Sequence, residues 1–517
     1  MLVKTYAAAL QSINARTVTI EVNCTPGSYF QLVGLPDAAI KESQDRIISA
    51  IECSGYCFPG RRLVINMSPA DLRKEGASYD LPLAIGILAA DGQIPSERLE
   101  QLMIMGELSL DGSLRPIRGA LPIAIQARAE GYEGLILPME NAREGAVVSK
   151  LKVYGARTLR EVIDKLSGLG DIEPTEVDTH REFYEQQVSY PYDFSEVKGQ
   201  EHVKRALEVA AAGGHNILMV GAPGSGKSMM AKRLPSILPP FTLSEALETT
   251  KVYSVAGKLS KDVTLMTARP FRSPHHSISP VALVGGGSNP QPGEISLAHN
   301  GVLFLDELPE FSRNVLEVMR QPLEERLVTV ARARFSVDYP ASFMLVAAMN
   351  PCPCGYYNHP TRLCECTPQQ VQRYLGKVSG PLLDRIDLQI EIAPVPFDKL
   401  SGSTSGEPSR DICQRVLRAR EIQNARFASD SDVHCNAQMT PRLMQRYAQP
   451  DEAGLARLRV AMERFNLSAR AYDRILKVAR TIADLAGEER IEMPHIAEAI
   501  QYRSLDRETW GTQPTKR

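Results

Sequence analysis

The sequence predicts an α/β protein, two mixed domains in series followed by a domain of helices alone, and three observations carry that expectation. Across residues 1–165, β-branched runs such as Val18-Thr19-Ile20-Glu21-Val22 alternate with helical stretches such as Ala120 to Glu130. Near Ser195 a second unit opens. Its apolar runs Ile217-Leu218-Met219-Val220, Val302-Leu303-Phe304-Leu305 and Met344-Leu345-Val346-Ala347-Ala348 are short and unbroken, as in a parallel sheet covered on both faces. From residue 411 to about 503 the patterning is helical only, with Pro441 and Pro494 placed near helix starts.

In chain order, residues 1–165 form the first domain, with further strands at Leu63-Val64-Ile65-Asn66-Met67 and Gly134-Leu135-Ile136-Leu137-Pro138. Residues 166–194 lose apolar periodicity and gain prolines, which reads as a linker. Residues 195–400 are the second α/β domain, with a cysteine-rich insertion at 351–366. A Ser/Gly-rich joint at 401–410 leads to the helical domain at 411–505 and a tail at 506–517. No sequence repeat is present.

Composition narrows the class. The 517 residues carry 59 Lys+Arg against 61 Asp+Glu, with 43% hydrophobic residues, which excludes disordered and fibrous chains. Charge balance is silent about a polyanionic partner, so a basic surface must be local. No window offers the ~18 unbroken apolar residues of a membrane span, and MLVKTYAAALQSINART lacks the apolar core of a signal peptide, so a cytoplasmic protein without membrane contact is expected. Nine cysteines in such a chain argue against a disulfide framework.

The strand at 217–220 runs into Gly221-Ala222-Pro223-Gly224-Ser225-Gly226-Lys227-Ser228 and then a helical pattern, the context a phosphate-binding loop requires. Glycines let backbone N–H groups close around phosphates, Lys227 reaches the terminal phosphates, and Ser228 offers its hydroxyl to Mg²⁺. ATP and Mg²⁺ are the expected ligands. The strand at 302–305 ends in Asp306-Glu307, one carboxylate for Mg²⁺ and one to polarise water. A third strand ends in Asn350, whose neutral amide can orient water against the γ-phosphate; a turn residue before Pro351 is the plainer reading.

These residues resemble the AAA+ ATPases, in the clade of the magnesium-chelatase ATPase subunit and the MCM helicases, over residues 194–503. The resemblance implies that Val197 and Gln200, in Val197-Lys198-Gly199-Gln200, border the adenine. It implies that Arg385 in Leu382-Leu383-Asp384-Arg385-Ile386-Asp387 is an arginine finger given to a neighbour's site, and that Arg470 is the sensor arginine of a helical lid. A salt bridge to Asp384 or Asp387 is the alternative for Arg385. For Arg470, Arg474 and Lys477, which share one helix face, a solvated basic face is the alternative.

Arg269-Pro270-Phe271-Arg272-Ser273-Pro274-His275-His276 resembles a signature of magnesium-chelatase-like proteins. Vicinal histidines point apart on any regular backbone, which favours a structural or loop role over metal. Residues 328–337 read as two strands with basic residues near the turn, resembling the MCM pore hairpin. Arg332 and Arg334 would then touch phosphates of threaded DNA without reading bases; an exposed charged hairpin without a partner is the alternative. Cys352, Cys354, Cys364 and Cys366 form two Cys-x-Cys pairs suited to structural Zn²⁺, with unmetallated thiols or redox switching as the other readings.

In the first domain, Glu75-Gly76-Ala77-Ser78, Gly106-Glu107-Leu108-Ser109-Leu110-Asp111-Gly112 and Pro116-Ile117-Arg118-Gly119 resemble the proteolytic domain of Lon, a ribosomal S5-like fold. Ser78 falls at the nucleophile, but Ala120-Leu121-Pro122-Ile123 holds no lysine base, so a degenerate domain serving assembly or DNA contact is expected. The order of domains looks most like the ComM/YifB family of magnesium-chelatase-like ATPases. That resemblance implies a homo-hexameric, ATP-driven helicase moving single-stranded and branched DNA in natural transformation and recombination. A metal-insertion ATPase, a Lon-like protease and an inactive scaffold are the alternatives.

Overall fold

A computed structural model describes the chain except residues 35–36, 38–39, 41, 186–189, 261–262, 288–289, 333–334, 396–405, 431–432, 466 and 504–517. Arg334, the tail at 506–517 and half of the joint therefore lie outside the described residues.

The first domain is built on a seven-stranded sheet. Its strands are β1 (Leu2–Gln11), β2 (Asn14–Thr25), β3 (Tyr29–Val33), β4 (Arg62–Ser68), β5 (Leu102–Ile104), β6 (Gly134–Pro138) and β7 (Lys152–Ala156), in the order β3-β4-β2-β1-β5-β6-β7. Alternation sets the register of β1 and β2: Val3 pairs with Val22 and Thr5 with Ile20, all buried. Helix α1 (Asp80–Ala90) is buried along its whole length: its Gly86 face lies on the sheet, where an added β-carbon would stand 2.8 Å from Val22, and Thr5 Oγ1 donates to Pro82 O at 3.2 Å, while its other side chains belong to the same core. Helix α2 (Ala120–Ala129) packs beside it on β2.

The second domain carries a five-stranded parallel sheet. It consists of β8 (Ile217–Gly221), β9 (Phe271–Arg272), β10 (Val302–Leu305), β13 (Met344–Met349) and β14 (Leu388–Ile392), in the order β9-β10-β13-β8-β14. Between β10 and β13, the antiparallel strands β11 (Leu327–Arg332) and β12 (Phe335–Pro340) form a hairpin. Residues on the two faces of the sheet belong to separate apolar clusters, which explains the unbroken hydrophobic runs. One face is covered by helix α3 (Glu201–Gly213) and by the helical domain: α6 (Ser409–Arg426), α7 (Pro441–Tyr447), α8 (Glu452–Phe465), α9 (Ala469–Ala486) and α10 (Met493–Gln501). Pro441 and Pro494 occupy the first turns of α7 and α10, where a missing N–H costs nothing.

Two expectations change. The linker at 166–194 is docked chain: it contains a helix at Thr179–Glu185, pairs Pro174 with Tyr154, and packs Ile172, Val177 and Phe183 on the first core. Three isolated apolar anchors suffice when the surface they meet already exists, and such anchoring leaves no periodic signal. The boundary near 195 is also not a boundary of packing. Helix α5 (Leu243–Val255) belongs to the second domain in sequence, yet Phe241, Ala246 and Leu265 around it join the first core. Among the described residues no helix is long and apolar enough to cross a membrane.

Candidate nucleotide site

The phosphate loop leaves β8 and enters helix α4 (Lys227–Arg233), turning through Gly224 and Gly226 at φ +76° and +91°. These left-handed angles require glycine and aim successive N–H groups to one side. Lys227, only 8% exposed, donates from Nζ to Gly221 O at 2.7 Å, Ala222 O at 3.0 Å and Asn350 Oδ1 at 3.2 Å. Burial lowers its pKa, opposed by the carboxylates of Asp306 and Glu307. Ser228 Oγ donates to Asp306 Oδ2 at 2.6 Å, and Asp306 Oδ1 accepts the Glu307 N–H at 3.0 Å. The tips of β8, β10 and β13 thus bring Lys227, Ser228, Asp306, Glu307 and Asn350 together. A hard oxygen pair, Ser228 and Asp306, can hold Mg²⁺, and Glu307 stands next to it.

Glu307 sits at φ +53° with its carboxylate 3.6 Å from His276 Nδ1. The two histidine rings lie 4.0 Å apart at 34°, not splayed as expected. They occupy an irregular stretch after β9, where strand alternation does not apply. No partner for His276 is legible in the sequence; its facing Glu307 is visible only once β9 and β10 are paired.

Gln200 caps α3 at φ +59° and donates from Nε2 to Ser225 O at 3.1 Å and Ala393 O at 3.2 Å, tying the phosphate loop to the end of β14. Val197 is buried in the core of this domain. Of the two residues expected at the adenine, Gln200 is the one hydrogen-bonded to the phosphate loop.

Arg385 lies elsewhere. Its carbonyl accepts from Asn216 Nδ2 at 3.3 Å, and Asn216 precedes β8, at the end of the sheet opposite the phosphate loop. Five strand residues, roughly 15 Å, separate the two. Its guanidinium pairs with neither Asp384 nor Asp387: Nη2 meets Glu324 Oε1 at 2.7 Å, Nη1 donates to Pro381 O at 2.5 Å, and Nε is buried without a partner. Asp387 is taken by Arg474 at 2.9 Å and by the Asn216 N–H at 2.9 Å. Burial alone would raise the Asp387 pKa, but Arg474 and His215 hold it well below the usual carboxylate range. Arg474 and Lys477 are therefore half-buried and partnered, not a freely solvated face: Lys477 Nζ donates to Ala437 O at 3.1 Å, and burial, with Arg474 beside it, brings its pKa down to about 8. Arg470 alone on that face is exposed. It stands one turn before Arg474, whose guanidinium meets Asp387 just ahead of β14.

The hairpin's strands pair from Leu327 with Pro340 up to Arg332 with Phe335. Its stem is anchored by Val328, Val330 and Tyr339, all buried, and by Thr329 Oγ1 donating to Asp338 Oδ1 at 2.7 Å. Cys352, Cys354, Cys364 and Cys366 converge: sulfur atoms lie 3.3, 3.7 and 3.5 Å apart for three pairs and all four within 4.8 Å. A tetrahedral thiolate site with bonds near 2.3 Å places its sulfurs ~3.8 Å apart, so the set fits zinc.

In the first domain Ser78 lies on a single turn, and among the described residues no side chain is hydrogen-bonded to its hydroxyl. The start of α2, where the Lon resemblance would need a base, binds a carboxylate instead. Glu144 Oε1 accepts the Leu121 N–H at 2.9 Å and also the Ser254 hydroxyl from α5, while the Gly119 N–H donates to Ser254 O at 3.2 Å.

The sequence families agree with this architecture. A family model described as "Magnesium chelatase, subunit ChlI" matches residues 193–400, "Subunit ChlI of Mg-chelatase" matches 20–141, and "Magnesium chelatase, subunit ChlI C-terminal" matches 406–503. The competence protein ComM of Haemophilus influenzae is 44% identical over 509 residues, 97% of each chain. The YifB protein of Salmonella typhimurium is 43% identical over the same length and shares of both chains. The magnesium-chelatase 38 kDa subunit of Cereibacter sphaeroides is 27% identical over 221 residues, 39% of this chain and 59% of that one. With a parallel sheet, a phosphate loop and full-length relatives of this kind, the chain belongs to the magnesium-chelatase-like AAA+ ATPases, in the family of ComM and YifB.

Proposed function

We propose that the protein is a ring-forming, ATP-driven DNA motor whose active sites lie between identical subunits. The observation that carries this reading is the position of Arg385. At the far end of the sheet from its own phosphate loop, it cannot reach its own nucleotide, and a guanidinium suited to phosphoryl charge has work only in a neighbour's site. Arg470 serves the same neighbour. Six copies close the ring, as the resemblance implies.

Within each site Lys227 binds the terminal phosphates, Glu307 positions and deprotonates the attacking water, and Asn350 orients it, with Lys227 and Asn350 already hydrogen-bonded. Ser228 and Asp306 would hold Mg²⁺, which would supply neutralisation of the phosphate charge. Arg332 and Arg334 at the hairpin turn follow the backbone of single-stranded or branched DNA, independent of sequence. The four cysteines hold one structural zinc ion. By the name of its relative ComM, we assign the motor to DNA uptake and recombination in the cytoplasm. The purified protein should hydrolyse ATP faster with DNA and unwind forked junctions. If neither occurs, the motor is excluded and the metal-insertion reading, favoured by the match to the 38 kDa magnesium-chelatase subunit, takes its place.

A further inference from the structure

The cysteine insertion does not stand apart from the nucleotide site. It begins one residue after Asn350, the group that accepts from Lys227, and its main chain presses on the phosphate loop. Gly355, at φ +83°, comes so close that a β-carbon placed there would lie 2.4 Å from Pro223 Cδ. Gly355 itself is fixed by donating its N–H to Cys352 O at 3.0 Å, inside the first Cys-x-Cys pair.

Beyond Gly355 the insertion arches over the loop toward β14. Between them is a cavity of about 240 Å³, walled by Gly221 and Ala222 of the phosphate loop, by Tyr357 and His359 of the insertion, and by Ile392 and Ala393 at the end of β14. The third wall is the segment to which Gln200 ties the phosphate loop. The insertion's own apolar cluster is small: Cys352, Tyr357 and Val371 are its buried members, with the other three cysteines packed against them. So small a core cannot order some fifteen residues by burial, whereas a metal–thiolate site supplies folding free energy directly.

We propose that this tetrathiolate site is a latch on the nucleotide site: the ion folds the insertion, the insertion braces Pro223 and closes the cavity beside the phosphate loop, and metal and ATP therefore bind cooperatively. The inference rests on the zinc reading above and adds to it a coupling between two sites. Coupling of this kind is reciprocal, so whatever factor zinc adds to nucleotide affinity, nucleotide must add to zinc affinity.

The test uses the full chain, with metal content measured first. Zinc-loaded protein should bind a fluorescent ATP analogue about tenfold more tightly than protein stripped by a chelator, equivalent to about 1.4 kcal/mol. Saturating ATP analogue should slow transfer of zinc to a colorimetric chelator. Because stripping could unfold the chain, Gly355→Ala supplies a second arm: it keeps all four thiols and should retain one zinc per chain yet lose nucleotide affinity. If zinc is present but affinity is the same with and without it, and Gly355→Ala binds nucleotide like the parent, the latch is refuted while the zinc site stands. If no metal is found at all, the zinc reading falls and the latch with it.

Discussion

Glu307 shows how much a single side chain decides. Its left-handed backbone turns the carboxylate out of β10 and toward His276, beside the Ser228–Asp306 pair and not into it. The proposed role of Glu307 is to act on water, not on binding. Glu307→Gln should therefore lower ATP turnover by about 10²–10⁴-fold, the usual worth of a positioned base, with nucleotide affinity nearly unchanged in equilibrium titration; weakened binding would show that Glu307 belongs to the metal shell. Lys227→Ala should do the opposite and abolish binding, since three hydrogen bonds and the phosphate charge depend on one ammonium group. That Lys227, Asp306 and Glu307 meet in one place is legible in the sequence, because the loop motif fixes spacing and the acids follow an apolar strand. The partners of Arg385 and His276 were not: Glu324 and Glu307 are 61 and 31 positions away, and only tertiary pairing joins them.

Among the elements, α9 is expected to be a lid helix bearing the sensor Arg470, with a solvated basic face as the alternative, and that alternative does not describe Arg474 and Lys477, which are half-buried and partnered. The reason is Asp387, whose partner sequence proximity suggested to be Arg385 but which the fold gives to Arg474 on α9. That pair joins the helical domain to the parallel sheet. Removing one member of a buried pair strands the other, so Asp387→Asn should destabilise the protein by about 3–5 kcal/mol in urea unfolding at neutral pH. The pH dependence has a definite sign. A carboxylate held below its unfolded value, near 4, contributes fully above that pH and is lost as pH falls through and below it. The parent protein should thus lose the attachment of its helical domain below about pH 4, read as new protease cleavage between β14 and α9. Asp387→Asn should show less change across that window. Short elements were the least legible: β9 has two residues, and β14 alternates like a half-exposed strand although four of its five residues are buried.

For the whole molecule, a trans-acting Arg385 makes turnover a property of assembly. Arg385→Ala should reduce hydrolysis by about 10³–10⁵-fold while sparing nucleotide binding. Mixing Arg385→Ala with Lys227→Ala subunits should restore part of the activity, because some interfaces then pair an intact loop with an intact finger; absence of rescue would place Arg385 in its own site. The two α/β domains and the helical domain were all visible in the sequence from periodicity. How the domains engage was not, because α5 and the segment at 166–194 reach across by a few scattered contacts.

The ion pair between Arg385 and Glu324 has one further outcome on this reading. Glu324 lies in the last turn of a short helix, Arg320–Glu325, that continues, two residues later, into the hairpin of β11 and β12. If Arg385 serves a neighbour's site as proposed, that neighbour's triphosphate and Glu324 would compete for one guanidinium, and fuel state in one subunit would be signalled to the hairpin of the adjacent one through an exchange of counter-ions.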